Sequence, residues 1–166
     1  MDVNLMRKLP VGIQTFEKIR RENFLYVDKT ALMWQIAAKS APCFLSRPRR
    51  FGKSLLLSTF EAYFEGKREL FEGLAAEQLE NEWNVHPVLH LDLNAEKYDR
   101  PEALDAMLSN HLTQWESVHG KGEDETTLSR RFAGVIRRAC EQTGRGVVVL
   151  VDEYDKPLLQ ALGNMP

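Results

Sequence analysis

Cysteine is scarce. Only Cys43 and Cys140 occur in 166 residues, and they lack metal-ligand spacing. A disulfide framework is therefore excluded. Both sit among apolar neighbours, which reads as buried reduced thiols in a cytoplasmic protein. Long hydrophobic runs are missing too. The longest strongly apolar stretch is residues 147–151, against roughly 20 residues for a membrane-spanning helix. An integral membrane protein is excluded, and no membrane partner is expected. The first ten residues carry Asp2, Arg7 and Lys8 without an apolar core, so they do not read as a secretory signal. Nor is there an excess of one charge. The 22 basic and 24 acidic residues leave a net charge of -2, unlike a surface built to coat nucleic acid by bulk charge. Repeats and low-complexity tracts are absent. What remains is an ordinary globular mixture, 43% hydrophobic and 28% charged, in a length suited to one domain.

The charge is unevenly placed. Residues 39–54 hold Lys39, Arg47, Arg49, Arg50 and Lys53 and no acid, whereas acids dominate 61–82. A basic cluster beside a glycine is what an anion site needs. Around it the pattern alternates between strand and helix. Residues 24–27 read as extended, and Asp28 can cap a helix to about Lys39 with Leu32 and Ile36 on one face. Residues 43–45 form a short apolar strand candidate. A helix then starts near Gly52, repeats Leu56, Phe60 and Phe64, and stops at Gly66. Residues 88–93 alternate as a strand. Pro101 suits the first turn of a helix carrying Leu104, Leu108, Leu112 and Trp115. After a polar loop at 121–125, Thr126 or Thr127 opens a helix with Leu128, Phe132, Ile136 and Ala139. Gly144 and Gly146 precede 147–151, a β-branched run that fits a strand covered on both faces. The class read from this order is α/β with a parallel sheet.

Arg47-Pro48-Arg49-Arg50-Phe51-Gly52-Lys53-Ser54 lies between a strand candidate and a helix. A P-loop reads G-x-x-x-x-G-K-[ST] in that context. The last three positions match, and Arg47 stands where the first glycine belongs. Gly52 lets the backbone approach a phosphate. Lys53 brings a point charge to β- and γ-phosphates, and Ser54 can ligate Mg²⁺. The candidate nucleotide-binding set is Arg49, Arg50, Phe51, Gly52, Lys53, Ser54 and Leu55.

The apolar run 147–151 leads directly into Asp152-Glu153, a Walker B pattern. A buried strand holds such a carboxylate at the edge where ligands bind in open α/β sheets. Asp152 would hold Mg²⁺ through water, with Ser54 the other metal ligand. Glu153 would be the general base, so Glu153 and Lys53 are the catalytic candidates.

With both motifs in hand, the chain resembles the AAA-ATPase-like family of P-loop NTPases, whose members often carry a PD-(D/E)xK nuclease-like domain further along. Leu9-Pro10-Val11-Gly12, Phe16 and Tyr26-Val27-Asp28-Lys29-Thr30 are similar to the family's opening. The arginine-rich loop is similar to its variant P-loop, in which arginine commonly replaces the first glycine. Val151-Asp152-Glu153-Tyr154-Asp155-Lys156-Pro157 resembles its Walker B segment. The resemblance implies a P-loop NTPase fold of the additional-strand glutamate type: a mostly parallel sheet flanked by helices. It also implies ATP and Mg²⁺ as ligands, and ATP hydrolysis.

In such folds a later strand lies between the P-loop strand and the Walker B strand. The sequence stops at Pro166, before that strand. The expectation is therefore a fragment, the N-terminal part of an AAA-ATPase-like domain. Residues 1–40 would form an N-terminal segment and helix, and 41–166 the P-loop core through Walker B. Such a piece is expected to be unstable or homo-oligomeric alone, with nucleic acid engaged only through a downstream domain.

Other residues carry secondary expectations. Tyr26, Asp28 and Thr30 lie near the adenine by family analogy, against a helix-capping alternative. Asp92 and Asn94 end a strand on the catalytic edge. His86 and His90 are structural, Trp34, Trp83 and Trp115 pack, and Asp155 and Lys156 form a local ion pair. The alternatives to an ATPase are a non-hydrolysing nucleotide switch, an inactive truncated fragment, a small-substrate kinase, or a nucleic-acid module using Arg47, Arg49 and Arg50.

Overall fold

A short amphipathic start sets the first layer of packing. In the computed structural model, which describes residues 7–39, 41–48, 50–94, 101–157 and 159, α1 (Phe16–Arg21) buries Phe16 and Ile19. The chain divides into two units, Met1–Val85 and His86–Pro166. In the first, α1 is followed by α2 (Thr30–Ala37), α3 (Lys53–Phe64), a 3₁₀ turn (Arg68–Phe71) and α4 (Ala75–Leu79). Helix α1 packs on α3, and α2 on α4.

Aromatic rings form the centre of this unit. Phe16 lies 4.9 Å from Phe71 and 5.2 Å from Tyr26, and Phe71 lies 5.0 Å from Trp83. Tilted and edge-on pairs at such distances add about 0.5–1.5 kcal/mol each beyond area burial. A polar bracket closes the α2–α4 contact. Asp28 Oδ1 accepts the Thr30 amide at 2.8 Å and the Thr30 hydroxyl at 2.7 Å, while Oδ2 accepts the Ala75 amide at 2.7 Å. Thr30 Oγ1 accepts the Ala76 amide at 3.0 Å. One aspartate thus accepts the first amide of both helices, whose N-cap residues, Lys29 and Leu74, supply no side-chain bond of their own. Burial pushes its carboxyl group up, but the bonds from Thr30 and Ala75 outweigh that and hold it below the usual range.

In the second unit, β1 (Val88–Asp92) pairs in parallel with β2 (Val148–Asp152), from Val88 opposite Val148 to Asp92 opposite Asp152. Two helices occupy the crossover, α5 (Pro101–His119) and α6 (Leu128–Thr143). Leu93 and Met107 are buried together, with Leu91, Leu104 and Leu108 against them. The Thr127 side chain accepts the Arg130 amide at the start of α6, and Gly144 ends that helix in the left-handed region at φ 64°. Among the described residues, no helix is long and apolar enough to cross a membrane.

The α/β class and the parallel pair match the sequence reading, but several details differ. Residues 43–45 are not a strand. A strand exists through its ladder, and among the described residues the ladder joins only β1 and β2. Phe44 is 67% exposed. Strand β2 is not covered on both faces: Val149 and Val151 are 41% and 39% exposed, while Leu150 is buried. On α2 the buried positions are Thr30 and Met33, and Leu32 is exposed. Both cysteines are exposed. Cys140 follows buried Ala139 on α6, and one residue along a helix turns the side chain about 100° away.

Candidate functional site

The loop before α3 is shaped by two left-handed residues. Arg50 has φ 66° and Gly52 φ 75°. Only glycine adopts that conformation without steric cost. Gly52 is the N-cap residue of α3 and supplies no side-chain cap. Its carbonyl accepts the Leu56 amide at 3.0 Å. The amides of Lys53, Ser54 and Leu55 therefore form an uncapped first turn, the positive end of the helix dipole. A Cβ at Gly52 would meet nothing within 4 Å, so the space before the turn is open.

Phe51, between the two left-handed residues, is 63% exposed. Arg47 and Arg50 are exposed, whereas Lys53 and Ser54 are half-buried. Leu55 anchors the turn from behind, its carbonyl accepting the hydroxyls of Ser58 and Thr59 at 3.0 and 2.8 Å. Arg49 lies outside the described residues.

The carboxylates belong to the second unit. Asp152 ends β2 and is 7% exposed. Its carbonyl accepts the Leu93 amide at 3.1 Å, and its Oδ1 accepts the Glu153 amide at 2.9 Å. Glu153 then turns the chain out of the sheet at φ 53°. For a non-glycine residue this costs about 1–2 kcal/mol, and such strain concentrates at functional positions. Glu153 itself is half-buried.

Asn94 donates its amide to Asp92 Oδ1 at 2.8 Å. Lys156 Nζ reaches back to the Asn94 carbonyl at 2.6 Å and to its Oδ1 at 3.1 Å. Lys156 thus joins the two post-strand segments. No sequence spacing signals that clamp, because its partners are 62 residues apart.

Tyr26 packs edge-on against Phe16, and Asp28 and Thr30 form the bracket described above. His86 Nδ1 lies 2.9 Å from the Gly146 carbonyl and joins the segments preceding β1 and β2. Trp34 donates to Glu80 at 3.1 Å, Trp83 packs between Tyr63 and Phe71, and Trp115 lies against Phe132. All three tryptophans are packing residues.

The residues fit a nucleotide-bound Mg²⁺. Among the described residues, no group of three or more His, Cys, Asp or Glu side chains could hold a metal ion. Mg²⁺ does not require one. It usually takes one or two carboxylates, waters and substrate phosphates. A buried Asp152 carrying a single amide bond retains lone pairs for that purpose.

The family model described as "Predicted AAA-ATPase" matches residues 10–165. The chain therefore belongs to the AAA-ATPase-like family. It is also similar to the uncharacterized protein in the vnfD 5' region of Azotobacter chroococcum mcd 1, at 42% identity over 160 residues. That match covers 94% of this chain and 30% of the relative. No solved structure matches.

Proposed function

We propose that this chain binds ATP with Mg²⁺ and contributes the hydrolytic residues of a P-loop ATPase. The observation that carries the reading is the open, uncapped start of α3 behind the left-handed Gly52, followed at once by Lys53 and Ser54. Backbone amides and a helix dipole there favour an anion, and the lysine adds a full charge. Arg50, with Arg49, braces the phosphates, Phe51 lies along the loop, and Leu55 supplies the last first-turn amide. Ser54 and Asp152 would hold Mg²⁺, which supplies charge neutralisation on the β- and γ-phosphate oxygens. Glu153 accepts the proton of the attacking water. Family membership supports the nucleotide theme.

The test is a Glu153→Gln variant of the full-length protein. It should keep ATP affinity and lose phosphate release by a factor of about 100 or more. Unchanged release would remove Glu153 from the chemistry. A parent that binds ATP tightly yet releases no phosphate would leave a nucleotide switch.

A further inference from the structure

Glu153 leaves β2 with φ 53°. A non-glycine residue stays in that region only where its surroundings over-determine it. Two bonds inside the turn do part of this. The Glu153 amide donates to Asp152 Oδ1 at 2.9 Å, and the Glu153 carbonyl accepts the Lys156 amide at 3.0 Å. Both join residues no more than three apart, so they fix the shape of the turn but not its position.

The position is fixed from the neighbouring strand. Lys156 Nζ donates to the Asn94 carbonyl at 2.6 Å and to Asn94 Oδ1 at 3.1 Å. Asn94 is itself tied down, its amide donating to Asp92 Oδ1 at 2.8 Å. Asp92 is the ladder partner of Asp152, and the Leu93 amide continues that ladder to the Asp152 carbonyl at 3.1 Å. The bonds close a ring through the ends of both strands, and every member lies in the second unit. Lys156 enters the ring twice, through its amide on Glu153 and its ammonium on Asn94. A charged donor makes the stronger kind of bond.

We infer that Lys156, seated on Asn94, is a positioning residue for Glu153. It holds the turn that carries the glutamate against the end of β1, and so sets where the carboxylate of the general base stands. It acts through Glu153 and not on the reactants. This rests on the hydrolytic reading above. A misplacement of about 1 Å costs on the order of 100-fold in rate, whereas nucleotide affinity, on that reading, comes from the start of α3.

The experiment measures single-turnover phosphate release from ATP, and the affinity of a non-hydrolysable ATP analogue, both with Mg²⁺ and the full-length protein. Lys156→Met keeps the aliphatic stem and removes the ammonium. It should slow release about 10- to 100-fold and leave analogue affinity within about twofold. Lys156→Arg retains donors for both Asn94 oxygens and should recover part of the rate. Asn94→Ala removes one of the two acceptors, and is read by the same criterion if Lys156→Met does not fold. Pairing with Glu153→Gln separates positioning from general support. With no base left to position, Lys156→Met should not slow Glu153→Gln further. The inference is overturned if Lys156→Met releases phosphate at the parental rate. It is equally overturned if analogue affinity falls with the rate, or if Lys156→Met slows Glu153→Gln by the factor it costs the parent, since both mark a general loss of structure. A parent whose release is unchanged by Glu153→Gln overturns the hydrolytic reading as well. A parent that depends on Glu153 and is indifferent to Lys156 overturns this inference alone.

Discussion

Arg131 on α6 grips Glu116 on α5 through two parallel bonds, Nε to Oε1 at 2.7 Å and Nη2 to Oε2 at 2.8 Å. Two further guanidinium bonds run to the same helix, from Nη1 to Ser109 Oγ at 2.7 Å and from Nη2 to Thr113 Oγ1 at 3.1 Å. The two side chains are 11% and 7% exposed. Removing one member strands a buried charge, at about 3–5 kcal/mol. Arg131→Ala should lower the unfolding free energy by about 3 kcal/mol in a urea melt. Arg131→Ala with Glu116→Leu should recover much of it, because no unpaired charge then remains.

Gly134 makes room for Glu125. A Cβ at Gly134 would lie 1.8 Å from Glu125 Oε1. In an ordinary helix interior, Gly→Ala stabilises by about 1 kcal/mol. Here Gly134→Ala should destabilise, because the carboxylate must leave Arg138, which it meets at 2.9 Å through Nη2. Thermal melts of Gly134→Ala and of Gly134→Ala with Glu125→Ala separate the two effects. The double variant should regain stability relative to Gly134→Ala.

Acid should loosen the same hairpin. The Arg138 guanidinium, with the Gly122 amide, holds the Glu125 carboxyl group down at about 2, against an ordinary 4.5. The Arg131 guanidinium likewise lowers Glu116. A depressed carboxylate contributes stability that is complete above the ordinary value and is lost as pH falls toward the folded one. The Glu125 contribution should therefore be flat from neutral pH to about 5 and decline between about 4.5 and 2. Glu125→Gln should show a shallower fall across that window in pH-dependent melts.

The local punctuation was legible in the sequence. Gly52 and Gly66 bounded α3, Thr127 and Gly144 bounded α6, and the alternation at 88–93 marked β1. These signals act over a few residues, so the chain itself carries them. What depended on distant partners was not legible. Residues 43–45 have strand composition, yet no ladder includes them. Val149 and Val151 are apolar yet exposed, because residue type does not reveal whether a second layer covers a face. The fit of Glu125 over Gly134 and the Lys156–Asn94 clamp require two elements to be placed before either partner is visible. In the candidate site the residue types were readable, but the positive φ at Arg50 and Glu153 was not, since neither is a residue that announces it.

The left-handed Gly52 provides a separate test of the loop. Nothing crowds an added Cβ there, so substitution acts through the backbone alone. Gly52→Ala should cost about 1–2 kcal/mol and reduce ATP affinity. Gly52→Asn should cost less, because asparagine enters this region more readily. Equal tolerance of both, in melts and in nucleotide titrations, would show that the turn's conformation is irrelevant to binding.

The central claim is that the lysine-tipped turn and the Walker B carboxylate serve one nucleotide. Calorimetric titration of ATP into the full-length parent, Lys53→Ala and Asp152→Asn, each with Mg²⁺ and with EDTA, addresses it most directly. The account predicts saturable binding by the parent. Lys53→Ala should lose affinity at least tenfold in both media, and Asp152→Asn only when Mg²⁺ is present. Binding that ignores both substitutions, or no binding by a folded parent, would contradict it.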